Sequence, residues 1–190
     1  MKYFEEFQPS GYTFRERIGD PNTFDAGIGK IVLCFSDLEV IVSNALLQLL
    51  VLIPCYRRNV TAELLFKNKV DTMASLVRQR LTSTRFNVAN DPPGEVLDEL
   101  VKILFQAEEL HNRIMHSAWV LAKLKDDLWT RVKLTAKASH GLSEKSEEMG
   151  PDDLLDIADY ISCVGMNVEE FFLDIETRSP SEDFSGDVST

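Results

Sequence analysis

The chain has 190 residues, of which 44% are hydrophobic and 27% charged. This composition is typical of a globular protein and excludes a chain that is disordered throughout. Residues 1–20 contain no uninterrupted apolar core followed by a small-residue cleavage site, so we expect no secretory signal and a cytoplasmic protein. The net charge of −11 is concentrated near the C-terminus, because residues 144–190 carry 14 acidic and 2 basic side chains.

Residues 57–85 hold a local excess of positive charge, with seven basic side chains against Glu63 and Asp71. An excess of this kind attracts a polyanion such as RNA. It is also typical of the solvated face of a helix, or of a surface on which the acidic C-terminal part docks. The sequence alone leaves these interpretations open.

The chain begins with an aromatic-rich segment and continues into a long apolar helix. Residues 1–21 are predicted to form an irregular arm, because they combine aromatic side chains with turn-forming proline and glycine. The first helix is predicted over residues 24–53, with Pro54 as its stop signal. Its most apolar part, residues 40–53, contains three polar residues and is shorter than the roughly 20 residues that cross a bilayer. We therefore expect a core helix and no contact with a membrane.

Two further helices follow, separated by a loop. The second is predicted over residues 61–81, where apolar residues recur at spacings of three and four. Residues 83–94 include two prolines, which lack the amide hydrogen that a helix requires, and are predicted to form a loop. The third helix is predicted over residues 95–124. Its core stripe consists of Leu97, Leu100, Leu104, Ala107, His111, Ile114, Ala118 and Leu121.

The last part of the chain predicts a short β-like segment and a final helix. Residues 129–135 alternate in part and contain β-forming side chains, which favours a short strand or hairpin before a loop over residues 141–150. Pro151 followed by two aspartates is typical of a helix start, since carboxylates favour the unpaired amides and the positive end of the helix dipole. The final helix is predicted over residues 151–175. The tail, residues 178–190, is predicted to be disordered and acidic because it has few apolar residues.

These elements predict one all-α domain over residues 22–177. Its expected architecture is a four-helix up-and-down bundle with a short β-like segment before the last helix. Cys34, Cys55 and Cys163 lie in or beside apolar segments without paired spacing, so we expect reduced, buried side chains. No glycine-rich phosphate loop and no local Ser-His-Asp or Cys-His arrangement occurs, and we expect no cofactor.

The third helix also has a second apolar side. Asn112 and His116 lie about 100° and about 140° around the helix from the core stripe, so both are predicted to point away from the core. Val101, Phe105 and Trp119 share that side. A helix with two apolar sides lies within a larger core or presents one side to a partner subunit. We expect a homodimer in which a two-fold axis brings both copies of Asn112 and His116 together.

Residues 108–119 read Glu-Glu-Leu-His-Asn-Arg-Ile-Met-His-Ser-Ala-Trp. This stretch resembles the HEPN domains, helical bundles whose motif is an arginine, commonly followed by asparagine, with a histidine a few residues later. Asn112 and His116 match the asparagine and the histidine. The long apolar first helix, and the late acidic helix after a short β-like segment, also look like bacterial members. The likeness therefore extends over residues 24–175.

The resemblance implies a metal-independent endoribonuclease that is active as a dimer, often a toxin or an antiviral defence component with a cognate antitoxin or neighbouring protein. In such sites the histidine handles a proton and the arginine stabilises charge on the phosphate, with the RNA 2′-hydroxyl as nucleophile. His116 would be the general acid/base, a role that suits an imidazole titrating near neutral pH. Asn112 would orient the histidine or the phosphate by hydrogen bonds.

The chain departs from this motif at the arginine. His111 stands at that position, lies on the predicted core stripe, and lacks the permanent charge and the bidentate fork of a guanidinium. Arg113 is a candidate substitute at a dimer interface. Each of these residues also has a structural interpretation, His111 as a hydrogen-bonded core histidine and the pair Asn112 and His116 as interface residues.

Two other functions are consistent with parts of the sequence. Glu108 and His111 have the Glu-x-x-His spacing of di-iron bundles, but such a site needs a second pair, and His140 is the only histidine outside the motif. We therefore expect no metal. The main alternative is a helical adaptor or antitoxin-like protein whose acidic part covers a basic partner. An enzyme requires His116 in a solvent-accessible cleft with a basic group in reach, whereas an adaptor would have His116 sealed under side chains.

Overall fold

A computed structural model describes residues 24–50, 61–83, 93–121, 129–137 and 141–178. Its helices are α1 (Phe24–Leu49), α2 (Phe66–Ser83), α3 (Pro93–Met115) and α4 (Pro151–Arg178). Between α3 and α4 lie three strands, β1 (Ala118–Leu121), β2 (Trp129–Lys137) and β3 (Gly141–Met149). The structure is mostly helical with one small antiparallel sheet. The predicted arm over residues 1–21 and the tail beyond residue 178 lie outside the described residues.

Helix α1 is the predicted core helix, and it ends at Leu49 rather than at residue 53. Its buried residues recur at helical spacing: Phe24, Gly27, Ile31, Phe35, Leu38, Val42, Ala45 and Leu46. Leu33 and Val40 on its other side are exposed. By length and composition alone α1 is apolar enough to cross a membrane, a test that core helices of soluble proteins also pass.

Helix α4 begins at Pro151, as predicted, and runs three residues past the predicted end. The backbone amide of Gly150 donates to Asp153 Oδ2 at 2.8 Å. A carboxylate at this position satisfies an amide that has no partner within the helix, and it also favours the positive end of the helix dipole. Asp153 at the start of α4 therefore acts as the sequence indicates.

Helix α3 is shorter than predicted and does not reach residue 124. It ends at Met115, and β1 begins at Ala118 and pairs antiparallel with β2, with Ala118 opposite Val132 and Leu121 opposite Trp129. Ala118 and Leu121 therefore do not belong to the helical stripe. The spacing of these two residues fits a helix, but pairing with β2 stabilises a strand instead. Tertiary context therefore decides the structure here, not local propensity.

The predicted strand over residues 129–135 is confirmed within β2, whereas the predicted loop over residues 141–150 is wrong. Residues 141–149 form β3, which pairs antiparallel with β2 in a register that sets Arg131 opposite Glu147 and Trp129 opposite Met149. Strand β3 is an edge of the sheet, whose order is β1-β2-β3. Edge strands tolerate charged side chains, so the polar composition of this segment is compatible with a strand.

The packing contacts give the direction of each helix. Helices α1 and α4 run the same way, because Gly27 lies against Leu154, Lys30 Nζ is 2.5 Å from Asp159 Oδ1, and Gly165 lies against Ile41. Helix α3 runs opposite to α4, since Tyr160 donates a hydrogen bond to Gln106 and Glu147, shortly before α4, pairs with Arg113 at the end of α3. It runs opposite to α1, because Phe24 contacts Trp119 just after α3 and Phe35, further along α1, contacts His111. It also runs opposite to α2, because Lys67 lies near Glu108 while Arg78 pairs with Asp98.

The predicted up-and-down order is therefore wrong. Strict alternation would make α1 antiparallel to α4, yet these helices are parallel. Helix α2 also runs in the same direction as α1 and begins beside the middle of α1, where Phe66 contacts Phe35 with ring centroids 5.1 Å apart. Only short connections force consecutive helices to be antiparallel.

The parallel pair α1 and α4 approaches closely at two glycines. A Cβ atom at Gly27 would lie 2.8 Å from Leu154 Cβ, and one at Gly165 would lie 2.9 Å from Ile41 Cδ1. The Cβ atom of Leu154 is fixed by the backbone, whereas the Cδ1 atom of Ile41 can move by rotation of its side chain. Gly27 therefore sets the helix spacing more strictly than Gly165.

The substitution Gly27→Ala should destabilise the protein by roughly 1–3 kcal/mol, because the added methyl overfills the contact with Leu154. Gly29 is the matched control, since a Cβ atom there meets nothing within 4 Å. Gly29→Ala should raise stability by roughly 0.5–1 kcal/mol through helix propensity. Urea unfolding followed by circular dichroism measures both changes, and equal effects at the two positions would contradict the close approach of α1 and α4.

Candidate functional site

The end of α3, the start of α1 and the sheet meet at one end of the molecule. The ring of Phe24 stacks on Trp129 with centroids 4.7 Å apart and meets Trp119 edge-on at 4.8 Å. These aromatic contacts join α1 to β1 and β2. Trp119, predicted to lie on the outer side of a longer helix, instead packs inward from a strand.

Asn112 and His116 lie together at the surface of this end. Both are exposed, and the backbone amide of His116 donates to the carbonyl oxygen of Asn112 at 3.0 Å. The predicted outward orientation of the two side chains is confirmed, and their catalytic role stays a prediction. Met115 and Val120, which are close to His116 in sequence, are exposed apolar residues, with exposed fractions of 41% and 56%.

His111 lies between this surface and the core. Its ring stacks on Phe35 with centroids 3.9 Å apart and planes 7° from parallel. Burial lowers the pKa of His111, although a hydrogen bond with Asn112 and the nearby Glu39 oppose that shift. Nδ1 of His111 is buried, and no residue in the described ranges hydrogen-bonds to it. The imidazole is therefore neutral near neutral pH and does not replace the charge of the motif arginine.

Arg113 is directed towards the sheet. Its Nη2 atom makes a close ion pair with Glu147 Oε2, and its side chain is partly exposed. Arg113 also lines a pocket of about 150 Å³ together with Gln106, Glu109 and Leu110. The guanidinium that was predicted as a substitute for the motif arginine is thus paired with the carboxylate of Glu147.

Arg131 lies beneath Arg113 and shares its partner. It is 5% exposed, and its Nε donates to Glu147 Oε2 at 3.1 Å. Its Nη1 donates to Ser117 Oγ at 3.0 Å and to the carbonyl oxygen of Arg113 at 3.4 Å. Sequence reasoning did not find Arg131, Glu147 or Ser117, because Arg131 meets Glu147 only through the strand register.

These groups close the C-terminal end of α3. The last carbonyl groups of a helix have no intrahelical donor and need other partners. The carbonyl of Arg113 accepts from Ser117 Oγ at 2.6 Å, and that of Ile114 accepts from Trp119 Nε1 at 3.3 Å. Side chains thus replace the glycine that often ends a helix.

A cluster of acidic groups lies deeper along α3. Burial raises the pKa of Glu108, with Glu39 and Asp71 adding to the effect and Lys67 opposing it. Within the described ranges, no three His, Cys, Asp or Glu side chains are arranged to hold a metal ion. Cys34 and Cys163 are unbridged, and burial raises the pKa of both thiols. Cys55 lies outside the described residues.

Part of the positive charge of residues 57–85 is paired or buried. Arg78 Nη2 is 2.6 Å from Asp98 Oδ1, and Lys69 is buried. Residues 57–60 and 84–85 lie outside the described ranges. A second pocket of about 450 Å³, between α1 and α4, is lined by residues that include Ile41, Gln48 and Phe172 and lies towards the opposite end of these helices.

Comparisons of the chain with protein-family models, curated proteins and solved structures give no match. The resemblance to HEPN domains therefore rests on the residues of the motif.

The lowered pKa of His111 predicts a pH-dependent stability. The unfolded chain binds a proton at this residue near pH 6.5 while the folded protein does not, so stability should fall as the pH drops below that value. His111→Phe keeps an aromatic ring against Phe35 and removes the titrating group. Urea midpoints at pH 7.5 and 5.5 should differ less in the variant than in the wild type, and identical differences would contradict the assigned environment of His111.

Proposed function

We propose that the protein is a dimeric, cytoplasmic, HEPN-like RNA-binding protein or metal-independent endoribonuclease. The observation that supports this proposal is the exposure of His116 and Asn112 on adjacent turns at the end of α3, where a phosphate can reach both. An enzyme of this type requires an accessible histidine, and the side chain of His116 is exposed. In this proposal the protein serves as a toxin or an antiviral defence component.

The proposed chemistry is transfer of the phosphate from the 5′-oxygen of one nucleotide to the 2′-hydroxyl of the preceding one. His116 exchanges protons with the attacking hydroxyl or the leaving oxygen, and Asn112 orients the imidazole or the phosphate. Neutral His111 cannot stabilise the phosphate charge. Arg113 serves this purpose if it exchanges Glu147 for the phosphate, and Glu147 then keeps its ion pair with Arg131.

A second copy of the chain completes the proposed site. Met115, the sequence neighbour of His116, and Val120 on β1 expose apolar surface, and such surface favours a protein contact. A two-fold axis at this surface brings two histidines and two Arg113 side chains close to one RNA strand. We also infer that the four helices form a single bundle, with α3 antiparallel to the other three.

One observation favours a second candidate, a catalytically inactive adaptor or antitoxin-like interaction protein. The motif arginine is replaced by neutral His111, and Arg113 is paired with Glu147. A site without an available cation stabilises a phosphorane-like transition state poorly. In this alternative, the His116 surface and the acidic helix α4 bind a partner protein without cleavage of RNA.

Purified wild type and His116→Ala, incubated with total RNA and a chelator, separate the two candidates. The ribonuclease proposal expects cleavage by the wild type and a loss of roughly 10²- to 10⁴-fold in the variant, since general acid/base groups contribute that much. Lys102→Ala is the control, because Lys102 is an exposed residue of the same helix that pairs with Glu99. It should cleave like the wild type.

Three results contradict the ribonuclease proposal: no cleavage by the wild type, cleavage that the chelator abolishes, or equal cleavage by wild type and His116→Ala. RNA bound without cleavage, measured by filter binding, retains the RNA-binding part of the proposal. No binding and no cleavage together leave the adaptor.

The proposed dimer predicts that Met115→Glu shifts the protein to a monomer, because a buried, unpaired carboxylate opposes association. The mass measured by size exclusion with light scattering should fall from twice the chain mass of 21.5 kDa to that of one chain. Leu173→Glu is the matched control, since Leu173 is exposed towards the other end of α4. A monomeric wild type, or a dimer that survives Met115→Glu, would contradict this interface.

A further inference from the structure

The connection that carries His116 is two residues long, His116 and Ser117, and lies between α3 and β1. Both sides of it are held by one buried side chain. Arg131 Nη1 reaches the carbonyl of Arg113, three residues before His116, and the hydroxyl of Ser117, one residue after it. Ser117 Oγ and the carbonyl of Arg113 are also joined to each other at 2.6 Å.

We propose that Arg131 is a positioning residue, which holds the His116 connection in the geometry that its reaction with RNA requires; this inference rests on the proposed function. Arg131 does not touch the substrate, because it is buried beneath Arg113. It acts through the backbone carbonyl of Arg113 before His116 and the side-chain hydroxyl of Ser117 after it, so that the connection bearing the imidazole is held on both sides.

The shape of the guanidinium explains why an arginine occupies this position. Nε faces Glu147 on β3, while Nη1 faces Ser117 and the carbonyl of Arg113. A planar fork directs several donors at once, whereas the ammonium of lysine is a single point on a flexible stem. Lysine at this position would keep the charge beside Glu147 but lose one or more of the other contacts.

Glu147 makes the buried arginine possible. A buried charge without a partner is strongly unfavourable, and the ion pair with Glu147 at 3.1 Å offsets that cost. The same carboxylate also binds Arg113. If Arg113 turns to a phosphate, Glu147 and Arg131 remain paired, and the connection that bears His116 stays in place during the reaction.

The test compares Arg131→Lys with Arg78→Lys, which makes the same change in the exposed pair between Arg78 and Asp98. Far-ultraviolet circular dichroism first establishes that each variant is folded. In proton–carbon correlation spectra, the ring signal of His116 is identified by its loss in His116→Ala. We expect this signal to shift and broaden in Arg131→Lys and to be unchanged in Arg78→Lys.

For RNA cleavage, the expected effect is a fall in kcat of roughly 10- to 100-fold with little change in KM, because a displacement of about 1 Å can cost that much. Arg78→Lys should keep the wild-type kcat. If Arg131→Lys does not fold, Ser117→Ala removes only the hydroxyl between Arg131 and Arg113, and it should broaden the same His116 signal to a smaller extent.

A folded Arg131→Lys with an unchanged His116 signal would overturn the positioning role. So would an unchanged signal in Ser117→Ala, if that is the variant measured. The spectra do not depend on cleavage, so a wild type that leaves RNA intact contradicts the proposed function while the His116 signal still decides whether Arg131 holds the connection.

Discussion

The close parallel packing of α1 on α4 is the contact on which the rest of the structure depends. It places the first residues of both helices at the same end of the molecule, with Gly27 against Leu154 and Lys30 paired with Asp159. Helix α3, which runs the opposite way, ends there too. The sheet connects the end of α3 to the start of α4 and therefore has to lie at this end, where Phe24 packs between two tryptophans.

The chemistry at this end is decided by a single carboxylate shared between two guanidiniums. Glu147 neutralises Arg131, which is buried, and also contacts Arg113, which is partly exposed. Breaking a buried ion pair by removing one partner typically costs about 3–5 kcal/mol. The pair of Glu147 and Arg131 is therefore strongly favoured in the folded protein, while Arg113 contacts the same carboxylate from a partly exposed position. Arg131 is thus buried and contributes to the structure around His116, whereas Arg113 is partly exposed to solvent.

His111 and His116 lie five positions apart at the end of α3, yet their environments are opposite. The ring of His111 stacks on Phe35, and burial lowers its pKa, so it contributes packing and not charge. His116 follows the last turn and is exposed to solvent. The two histidines therefore differ in role: His111 packs as a neutral ring, whereas His116 is accessible to solvent.

Local signals in the sequence predicted that the segments of α1 to α4 are helical and which face of each helix is buried. Apolar spacing predicted the buried faces of α1 and α4, and Pro151 with its aspartates predicted the start of α4, because helical periodicity and capping depend on residues within one or two turns. The same periodicity placed Asn112 and His116 outside the core. It failed after Met115, where Ala118 and Leu121 fit a helical stripe equally well.

Only the tertiary structure decided three features. The direction of α2 is set by contacts between residues far apart in sequence, such as Phe35 with Phe66 and Arg78 with Asp98. Strand β3 has a polar sequence and exists because β2 supplies its hydrogen-bond partners. The contact of Arg131 with Glu147 follows from the register of those two strands, and residues 16 positions apart in sequence show no pattern that marks them as partners. Interactions within a few residues can be inferred from the sequence, whereas partners joined by folding are set by the path of the whole chain.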